Sequence, residues 1–246
     1  MPLLHAAEDR HFWFRARNAL LAALIDQIEP TLAAGYRVLE VGCGTGNTLR
    51  VLDRACTRGT VVGMDFQREG LRLARARVRC SLVQGDITTP PFHRDVFFDL
   101  IGMFDVLEHI DDDRRTLEAV RSRLSPGGVL ILTVPADPRL WSAVDVAAGH
   151  CRRYTLEELQ AKLHHGGFRI EYLSPIMRFL HPLVRIARTL SGQLVRDRFD
   201  SAATELRITP IVNGLVYRAL MREVPLITRR SVLPYGTSLV AIARYA

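Results

Sequence analysis

The sequence is poor in cysteine and has no long apolar run. Its 246 residues include four cysteines. Because none of them belongs to a Cys-x-x-Cys pair, neither a zinc knuckle nor a redox pair is predicted. No apolar run approaches the roughly 18 to 20 residues that a membrane-spanning helix needs. Charged residues follow closely behind Leu3 and Leu4, which is not the layout of a signal peptide. We therefore expect reduced thiols and a cytoplasmic protein, with contact to the inner face of the membrane as the open alternative.

Lysine is nearly absent, and two common hydrolase motifs are missing. The sequence contains neither the Gly-x-Ser-x-Gly of esterases nor the His-Glu-x-x-His of zinc proteases, which argues against both classes. Lys162 is the only lysine, so arginine carries nearly all the positive charge, and the net charge is +7. This excess admits nucleic acid, anionic lipid or acidic small molecules as partners, and charge alone does not choose among them.

Short apolar runs alternate with helical patterns along most of the chain. The length and the 48% apolar content suit one α/β core with an extension. Apolar runs of this kind are typical of strands that are covered on both faces. The predicted strands are 36–41, 60–65, 80–84, 97–103, 128–134, 168–173 and 237–245. Their alternation with helices predicts a doubly wound, mostly parallel sheet of seven strands, whose ligands lie outside the carboxyl ends of the strands.

The pattern divides the chain into four segments. Residues 1–35 contain an amphipathic helix, and residues 36–173 hold the alternating core. Residues 174–236 contain two helical patterns rather than a linker composition, so we expect a helical insertion that serves as a lid or docking element. Residues 237–246 form the final strand.

A glycine-rich segment follows the first predicted strand and is the most informative part of the sequence. It runs from Glu40 through Gly42, Cys43 and Gly44 to Gly46. Glycines at alternate positions allow a ligand to approach the backbone where a Cβ would clash. The Gly-x-Gly-x-Gly spacing after an acid suits a pyrophosphate clamp less well than Gly-x-Gly-x-x-Gly, so a dinucleotide is disfavoured.

This segment resembles the first motif of class I S-adenosylmethionine-dependent methyltransferases, in particular the bacterial type-11 and ubiquinone-biosynthesis O-methyltransferase group. The resemblance implies a Rossmann-like methyltransferase fold with an antiparallel last strand. It implies S-adenosyl-L-methionine as the cofactor, bound by residues of the glycine segment. Those residues are Glu40, Gly42, Cys43, Gly44 and Gly46.

The resemblance continues at the ends of the second and third predicted strands. Asp65, with Phe66 beside it, stands where the family has the acid that binds the ribose hydroxyls, about 20 residues past the glycines. Asp86 stands where the family has an aspartate that meets the adenine amine, and Ile87 where an apolar side chain packs on the ring. The four residues are therefore predicted to bind the adenosine part.

Two further segments are similar to parts of the family that surround the methionine part of the cofactor. The fourth predicted strand ends in Met103, Phe104 and Asp105, which the resemblance places along that moiety. Near the start, Trp13 and Arg17 stand in an aromatic and cationic cluster that resembles a covering segment. Trp13 would shield the sulfonium and Arg17 would meet the carboxylate. A hydrophobic contact with the core is the alternative for this cluster.

Asp105, Glu108 and His109 have the spacing of one helical turn, at i, i+3 and i+4. They resemble an acid-x-x-Glu-His segment of ubiquinone-type enzymes that can hold a divalent cation. Mg²⁺ bound there could acidify an acceptor hydroxyl, and His109 is the alternative general base. We favour a third interpretation, in which these residues cap a helix and hold the cofactor, and we predict no metal.

His150 and Tyr154 follow the fifth predicted strand, on the side where acceptors bind in this fold. Both are candidates for acceptor contact or proton transfer. The alternative is that they only anchor a loop and the start of the next helix.

The predicted insertion carries an apolar stripe within 176–190, with Arg178, Arg185 and Arg188 elsewhere around the same helix. Such a helix could contact an anionic membrane or take up an acyl or prenyl chain, and the alternative is a lid helix packed on the sheet. The stripe consists of Ile176, Phe179, Leu180, Leu183, Val184, Ala187 and Leu190.

Together the residues predict a methyltransferase that acts on oxygen of a small-molecule or lipid-linked acceptor. Methylation of RNA or protein is the second hypothesis, and a cofactor-binding scaffold without catalysis is the third. The fourth strand lacks the Asn/Asp-Pro-Pro-Tyr/Phe run of relatives that methylate planar amino nitrogens, so nucleic acid is disfavoured as a partner. The sequence leaves the acceptor and the oligomeric state open.

Overall fold

The computed structural model describes residues 2–191 and 209–245, and its elements alternate as the sequence predicts. The strands are β1 (Arg37–Val41), β2 (Thr60–Asp65), β3 (Ser81–Gln84), β4 (Phe98–Phe104), β5 (Leu124–Pro135), β6 (Phe168–Ile176) and β7 (Ser238–Tyr245). The α-helices are α1 (Pro2–Glu8), α2 (Phe12–Ile28), α3 (Leu49–Ala55), α4 (Arg68–Ala74), α5 (Asp113–Arg123), α6 (Ala143–Ala148), α7 (Leu156–His165), α8 (Leu180–Ser191), α9 (Pro210–Met221) and α10 (Val224–Thr228).

The strands form one seven-stranded sheet in the order β3-β2-β1-β4-β5-β7-β6. The first five strands pair in parallel, whereas β7 runs antiparallel to both of its neighbours. The strand order reverses between β1 and β4, which is where ligands bind in open α/β sheets. The predicted doubly wound, mostly parallel sheet is therefore confirmed.

Each face of the sheet carries its own apolar core, because successive side chains of a strand point to opposite faces. Val38 and Val129 pack with residues of α2 and α3 on one face. Their neighbours Leu39 and Leu130 pack with residues of α5 and α7 on the other. All four side chains are fully buried, which explains why the strands read as continuous apolar runs.

Helix α7 runs from Leu156 to His165 and is preceded by Thr155, whose side chain caps it. The Thr155 hydroxyl accepts the Glu158 N–H at 3.1 Å, and the Glu158 carboxylate accepts the Thr155 N–H at 2.8 Å. The two hydrogen bonds satisfy backbone donors that the first turn of a helix leaves unpaired.

The helix α9 lies against α2 and fixes its start. The Asn213 side chain accepts the Phe12 N–H and donates to the Arg10 carbonyl, both at 2.7 Å. The Arg15 guanidinium lies 4.2 Å from the centroid of the Tyr217 ring. The segment predicted as an insertion therefore contacts the segment predicted to cover the cofactor, and the division of the chain into four segments stays a prediction.

The helical stripe predicted over 176–190 starts too early. Ile176 is the last residue of β6 and pairs with Ser238 of β7. Met177 then adopts a φ of 60°, and α8 begins only at Leu180. The spacing of the apolar residues was compatible with a helix, but pairing with the neighbouring strand keeps Ile176 extended. Three side chains of the predicted cluster lie outside those described: Ala187, Arg188 and Leu190.

Candidate cofactor and acceptor site

The glycine turn after β1 requires a backbone that side chains disfavour. Gly42, Gly44 and Gly46 have φ angles of 71°, 51° and 78°. A Cβ at Gly42 would lie 2.5 Å from a methyl carbon of Val106, whereas no atom lies within 4 Å of the Cβ position at Gly44. The turn is therefore tightly packed at its first glycine and open at its second.

Asp65 is the last residue of β2, and its carboxylate faces this turn. Its Oδ2 accepts the Gly44 N–H at 2.7 Å, and its Oδ1 accepts the Gln67 N–H at 2.7 Å. Phe66, the next residue, is 69% exposed beside it. The structure thus brings the carboxylate and an accessible aromatic ring to the open side of the turn.

Glu40 is fully buried beneath the turn. Its Oε1 accepts a hydrogen bond from the Thr48 hydroxyl, and its Oε2 has no partner among the described residues. Burial raises the pKa of Glu40 to about 8. An unpartnered buried carboxylate oxygen costs free energy unless a donor pairs with it.

The segment after β3 places its two predicted cofactor residues differently. Asp86 is exposed, and its Oδ1 accepts the Thr88 N–H at 2.7 Å and the Thr88 hydroxyl at 2.8 Å. Ile87 is 3% exposed and packs in the core with Leu39 and Met64. The Asp86 carboxylate is accessible, whereas the Ile87 side chain is not.

The end of β4 meets the second helix through an ion pair. The Arg17 guanidinium lies 2.5 Å from the Asp105 carboxylate, and it also lies 4.8 Å from the centroid of the Trp13 ring. Asp105 has a φ of 56°, which is rare for a residue other than glycine. The structure therefore brings Trp13, Arg17 and Asp105 together. The Arg17 guanidinium, predicted to meet the carboxylate of the cofactor, pairs here with Asp105.

Met103 and Phe104 precede Asp105, and both are buried in the apolar cores. Met103 packs on the face that carries α5, and Phe104 on the face that carries α2. With 1% and 5% exposure, neither side chain is accessible to a ligand. If Met103 and Phe104 contact the cofactor as predicted, they therefore do so through backbone atoms.

The end of α1 is bonded to the glycine turn. The Glu8 carboxylate accepts the Thr45 hydroxyl at 2.6 Å and pairs with the Arg77 guanidinium. Arg77 also donates to the His5 carbonyl at 2.8 Å, and Asp9 pairs with Arg50 at 2.5 Å. Sequence reasoning missed these residues, since nothing in their local pattern relates the start of the chain to α4.

On the acceptor side, two histidines and two acids converge. His150 Nδ1 lies 3.0 Å from Asp145 Oδ1, and its Nε2 lies 4.0 Å from Glu108 Oε1. His109 Nδ1 lies 3.2 Å from the Gly149 carbonyl, and the two imidazole rings are 4.8 Å apart. With each Nδ1 held by an oxygen acceptor, each Nε2 is left as the lone-pair nitrogen.

Glu108 is the most unusual of these groups, because it is fully buried and neither carboxylate oxygen has a hydrogen-bond partner among the described residues. Burial, reinforced by the Asp105 charge, raises the pKa of Glu108 well above its ordinary value. Burial and the neighbouring His150 lower the pKa of His109. Burial favours a raised pKa for Asp145 as well, but hydrogen bonds from His150 and Arg153 outweigh it and hold that pKa low.

These groups also have the composition of a divalent-cation site. One ligand atom from each of Glu108, His109 and His150 lies within 4.8 Å of the others. Asp105, which the spacing placed beside Glu108 and His109, pairs with Arg17 instead. His150 takes its position in the cluster because the loop after α6 folds back over the end of β4, where the Cys151 N–H donates to the Glu108 carbonyl at 2.7 Å.

Tyr154 is 1% exposed, and its hydroxyl donates to Asp113 at 3.0 Å. Burial and the Asp113 charge raise the pKa of Tyr154 far above its ordinary value. The same Asp113 carboxylate pairs with Arg152 and Lys162, each at 2.8 Å. This placement favours the anchoring role that was the alternative for Tyr154.

The family profile described as "Methyltransferase domain" matches residues 13–173 of the chain. The matched stretch includes the glycine turn, Asp65, Asp105 and the His150 cluster. The chain belongs to the methyltransferase domain family.

Two curated relatives and one solved structure illustrate the similarity. A phthiotriol/phenolphthiotriol dimycocerosates methyltransferase of Mycobacterium ulcerans is 29% identical over 66% of this chain and 63% of its own length. A ubiquinone biosynthesis O-methyltransferase of Erwinia tasmaniensis is 32% identical over 48% of this chain and 51% of its own. Because less than two thirds of each relative is matched, their activities are not transferred to the whole chain.

The crystal structure of an S-adenosylmethionine-dependent methyltransferase from Clostridium acetobutylicum has a TM-score of 0.58 to this methyltransferase-domain protein at 14% sequence identity. The match covers 94% of this chain and 92% of that one. At this identity the likeness shows the fold alone.

The residues at the turn of this methyltransferase-domain protein fit the cofactor that the family implies. S-adenosylmethionine carries an ammonium, which can donate to the unpartnered oxygen of Glu40, and ribose hydroxyls, which can donate to a carboxylate such as Asp65. The open Cβ position at Gly44 leaves space beside the backbone. Donors, acceptors and space therefore agree with this ligand.

Proposed function

We propose that this protein is an S-adenosylmethionine-dependent methyltransferase that methylates an oxygen of a small-molecule or lipid-linked acceptor. The observation that carries the proposal is the convergence of the open glycine turn, Asp65 and the unpartnered Oε2 of Glu40 at the reversal of strand order. The two relatives described above, one named for a lipid substrate and one for O-methylation, support this acceptor class.

Bound S-adenosylmethionine supplies a methyl group that is activated by the sulfonium, so transfer to oxygen is an in-line displacement that needs no covalent enzyme intermediate. The chain's own residues hold the reactants and manage the proton. We assign Glu40 to the ammonium, Asp65 to the ribose and the exposed Asp86 to the adenine amine. We assign Trp13 and Arg17 to the methionine end; Arg17 is held by its ion pair to Asp105 and lies over the Trp13 ring.

For the acceptor proton we assign His150 as the general base. Asp145 holds its Nδ1, so that Nε2 is the nitrogen left to receive a proton from an acceptor hydroxyl. Asp145 is a positioning residue, because it acts through His150. His109 is the second candidate base, since its lowered pKa keeps it neutral at pH 7.

Calorimetry with S-adenosylmethionine, followed by incubation of labelled cofactor with lipid and small-molecule extracts, tests the proposal. We expect saturable binding and a mass gain of one methyl group in an apolar or phenolic product. Absence of binding by the folded protein contradicts the proposal. Label that appears only in RNA or protein supports the second hypothesis instead.

The His150 cluster could alternatively hold a cation, and chelation separates the two uses. With His150 as a base, dialysis against a chelator leaves the transfer rate unchanged. Loss of activity on chelation that is restored by Mg²⁺ would instead assign Glu108, His109 and His150 to a metal.

A further inference from the structure

Most of the net positive charge of this protein comes from one segment. Residues 174–236 contain ten arginines and four acids, which accounts for nearly all of the net charge of +7. In the described part of this segment Glu223 is the one acid, and it is 2% exposed. Among the described residues of the segment, the charged side chains at the surface are therefore arginines.

The same segment exposes apolar side chains in rows. Phe179, just before α8, and Leu183 and Ile186 within it follow one another at i, i+4 and i+7 and are 37%, 60% and 58% exposed. On α9, Ile211 and Leu215 stand at i and i+4 and are 77% and 60% exposed. Apolar side chains this exposed, in a row along a helix, mark an interaction surface.

On α9 two arginines continue the line of the apolar row. Arg218 and Arg222 follow Ile211 and Leu215 at i+7 and i+11, so the four side chains lie along one line of the helix. Both arginines are exposed, and the described acids form no ion pair with either. The opposite side of α9 is occupied, because Asn213 and other residues contact α2.

The two helices meet at one point. The Glu223 carboxylate, just after α9, accepts the Phe179 N–H at 3.2 Å, just before α8. The start of α8 is also tied to the loop after β5, since His181 Nε2 lies 2.8 Å from Asp137 Oδ2. The start of the α8 row and the arginine end of the α9 row therefore lie next to the acceptor side of the sheet.

We infer that α8 and α9 form a docking surface for an anionic lipid bilayer. A basic segment with exposed apolar rows is complementary to acyl chains and anionic headgroups together, whereas a protein partner would have to match both rows and the arginines. None of the described helices is long and apolar enough to cross a bilayer. The inference does not depend on methyl transfer.

Co-sedimentation with vesicles tests this surface without cofactor or acceptor. The protein is mixed with vesicles of phosphatidylcholine alone or of phosphatidylcholine with phosphatidylglycerol. We expect binding to the anionic vesicles that weakens as salt is added, and little binding to the neutral ones. Equal retention by both vesicles, or by neither, overturns the inference.

Paired substitutions locate the contact. Ile211→Ser with Leu215→Ser, and separately Arg218→Gln with Arg222→Gln, should each lower the partition onto anionic vesicles at least about tenfold. Arg75→Gln with Arg79→Gln removes the same charge elsewhere, and Phe97→Ser removes an apolar side chain that is 41% exposed at the other end of β4. These two controls should bind as the wild type does.

Two outcomes would assign the surface to another occupant. If the controls lose binding as much as the test variants, the attraction comes from net charge and the inference fails. If the wild type forms a dimer by analytical ultracentrifugation that Ile211→Ser with Leu215→Ser abolishes, while vesicle binding is unchanged, α9 binds a second copy of the chain. Circular dichroism of each variant confirms that it is folded.

Discussion

The cofactor side of the site is built from backbone that directly follows the strands, whereas the acceptor side is built from side chains that meet across the fold. The cofactor side consists of the glycine turn and Asp65, which follow directly on the buried strands β1 and β2. The acceptor side consists of Glu108, which follows β4, and of Asp145 and His150 from the segment around α6, and these side chains meet across the fold. Backbone geometry therefore determines the first region, and individual contacts determine the second.

The difference predicts that the largest loss of activity comes from one side chain on the acceptor side. His150→Ala removes the proposed base and should lower kcat about 100- to 10,000-fold while cofactor affinity is unchanged. Stopped assays with labelled cofactor measure the rate, and calorimetry measures the affinity. His164→Ala, on the exposed side of α7, is the matched control.

An unchanged kcat in His150→Ala would move the base to His109. A fall in kcat together with a loss of cofactor affinity would mean that the two regions are not independent, since His150 connects to Arg17 through Glu108 and Asp105.

On the cofactor side, the largest effect should be a loss of stability when a side chain is added to the glycine turn. Gly42→Ala forces a side chain into a φ of 71° and places its Cβ 2.5 Å from Val106, so we expect a loss of about 2 to 4 kcal/mol in the free energy of unfolding. Gly35→Ala has a φ of 82° but no atom within 4 Å, and should cost only about 1 kcal/mol. Urea denaturation measures both losses. If the two substitutions lower the free energy of unfolding equally, the contact with Val106 contributes nothing to the cost at Gly42.

The strands that carry the cofactor side could be located from the sequence because their signals are local. Strands covered on both faces are apolar throughout, so β1, β2 and β4 could be located from composition alone. The family resemblance then placed the glycine segment after the first strand and Asp65 at the end of the second, which is where they stand in the structure. The exceptions are Met103, Phe104 and Ile87, for which the family motif indicates a position in the chain but not which way a buried side chain points.

The acceptor side could not be assembled from the sequence, because its contacts join residues that are far apart in the chain. The helical spacing grouped Asp105 with Glu108 and His109, but the chain forms a short 3-10 turn there, and Asp105 turns to Arg17. Asp145 gave no signal beyond its place in a helix start. Its role appears only when the loop after α6 brings His150 back to it.

Asp65 should contribute to cofactor binding by a smaller amount than the strain at Gly42 costs in stability. Asp65→Ala leaves ribose hydroxyls unpaired and should weaken binding by roughly 1 to 3 kcal/mol, about five- to 150-fold in Kd. Asp65→Asn retains an acceptor oxygen and should lose less. Asp95→Ala, whose side chain is 86% exposed, is the control in the same calorimetric titration. Wild-type affinity in Asp65→Ala would remove this residue from the site.

The smallest effect, per pH unit, concerns Glu40. Burial raises the pKa of Glu40 to about 8 in the folded protein, against an ordinary value of 4.5 in the unfolded chain. Between these two pH values the folded state keeps a proton on Glu40 that the unfolded chain releases. The contribution of Glu40 to the free energy of unfolding is therefore complete below pH about 4.5 and is lost as the pH rises to about 8. In the cofactor-free protein Glu40 should contribute a fall of at most about 1.4 kcal/mol per pH unit in the free energy of unfolding.

Urea denaturation between pH 5 and 8 measures this slope. Glu40→Gln should make it shallower, and Glu118→Gln, on the accessible side of α5, should leave it unchanged. Glu108 adds a slope of the same sign, because its pKa is raised too, and Glu108→Gln removes that part. Saturating S-adenosylmethionine should reduce only the part of the pH slope that is due to Glu40, because the ammonium of the cofactor stabilises the ionised Glu40 carboxylate. If the cofactor instead flattens the part due to Glu108, the ammonium lies on the acceptor side and the assignment of the two regions is reversed.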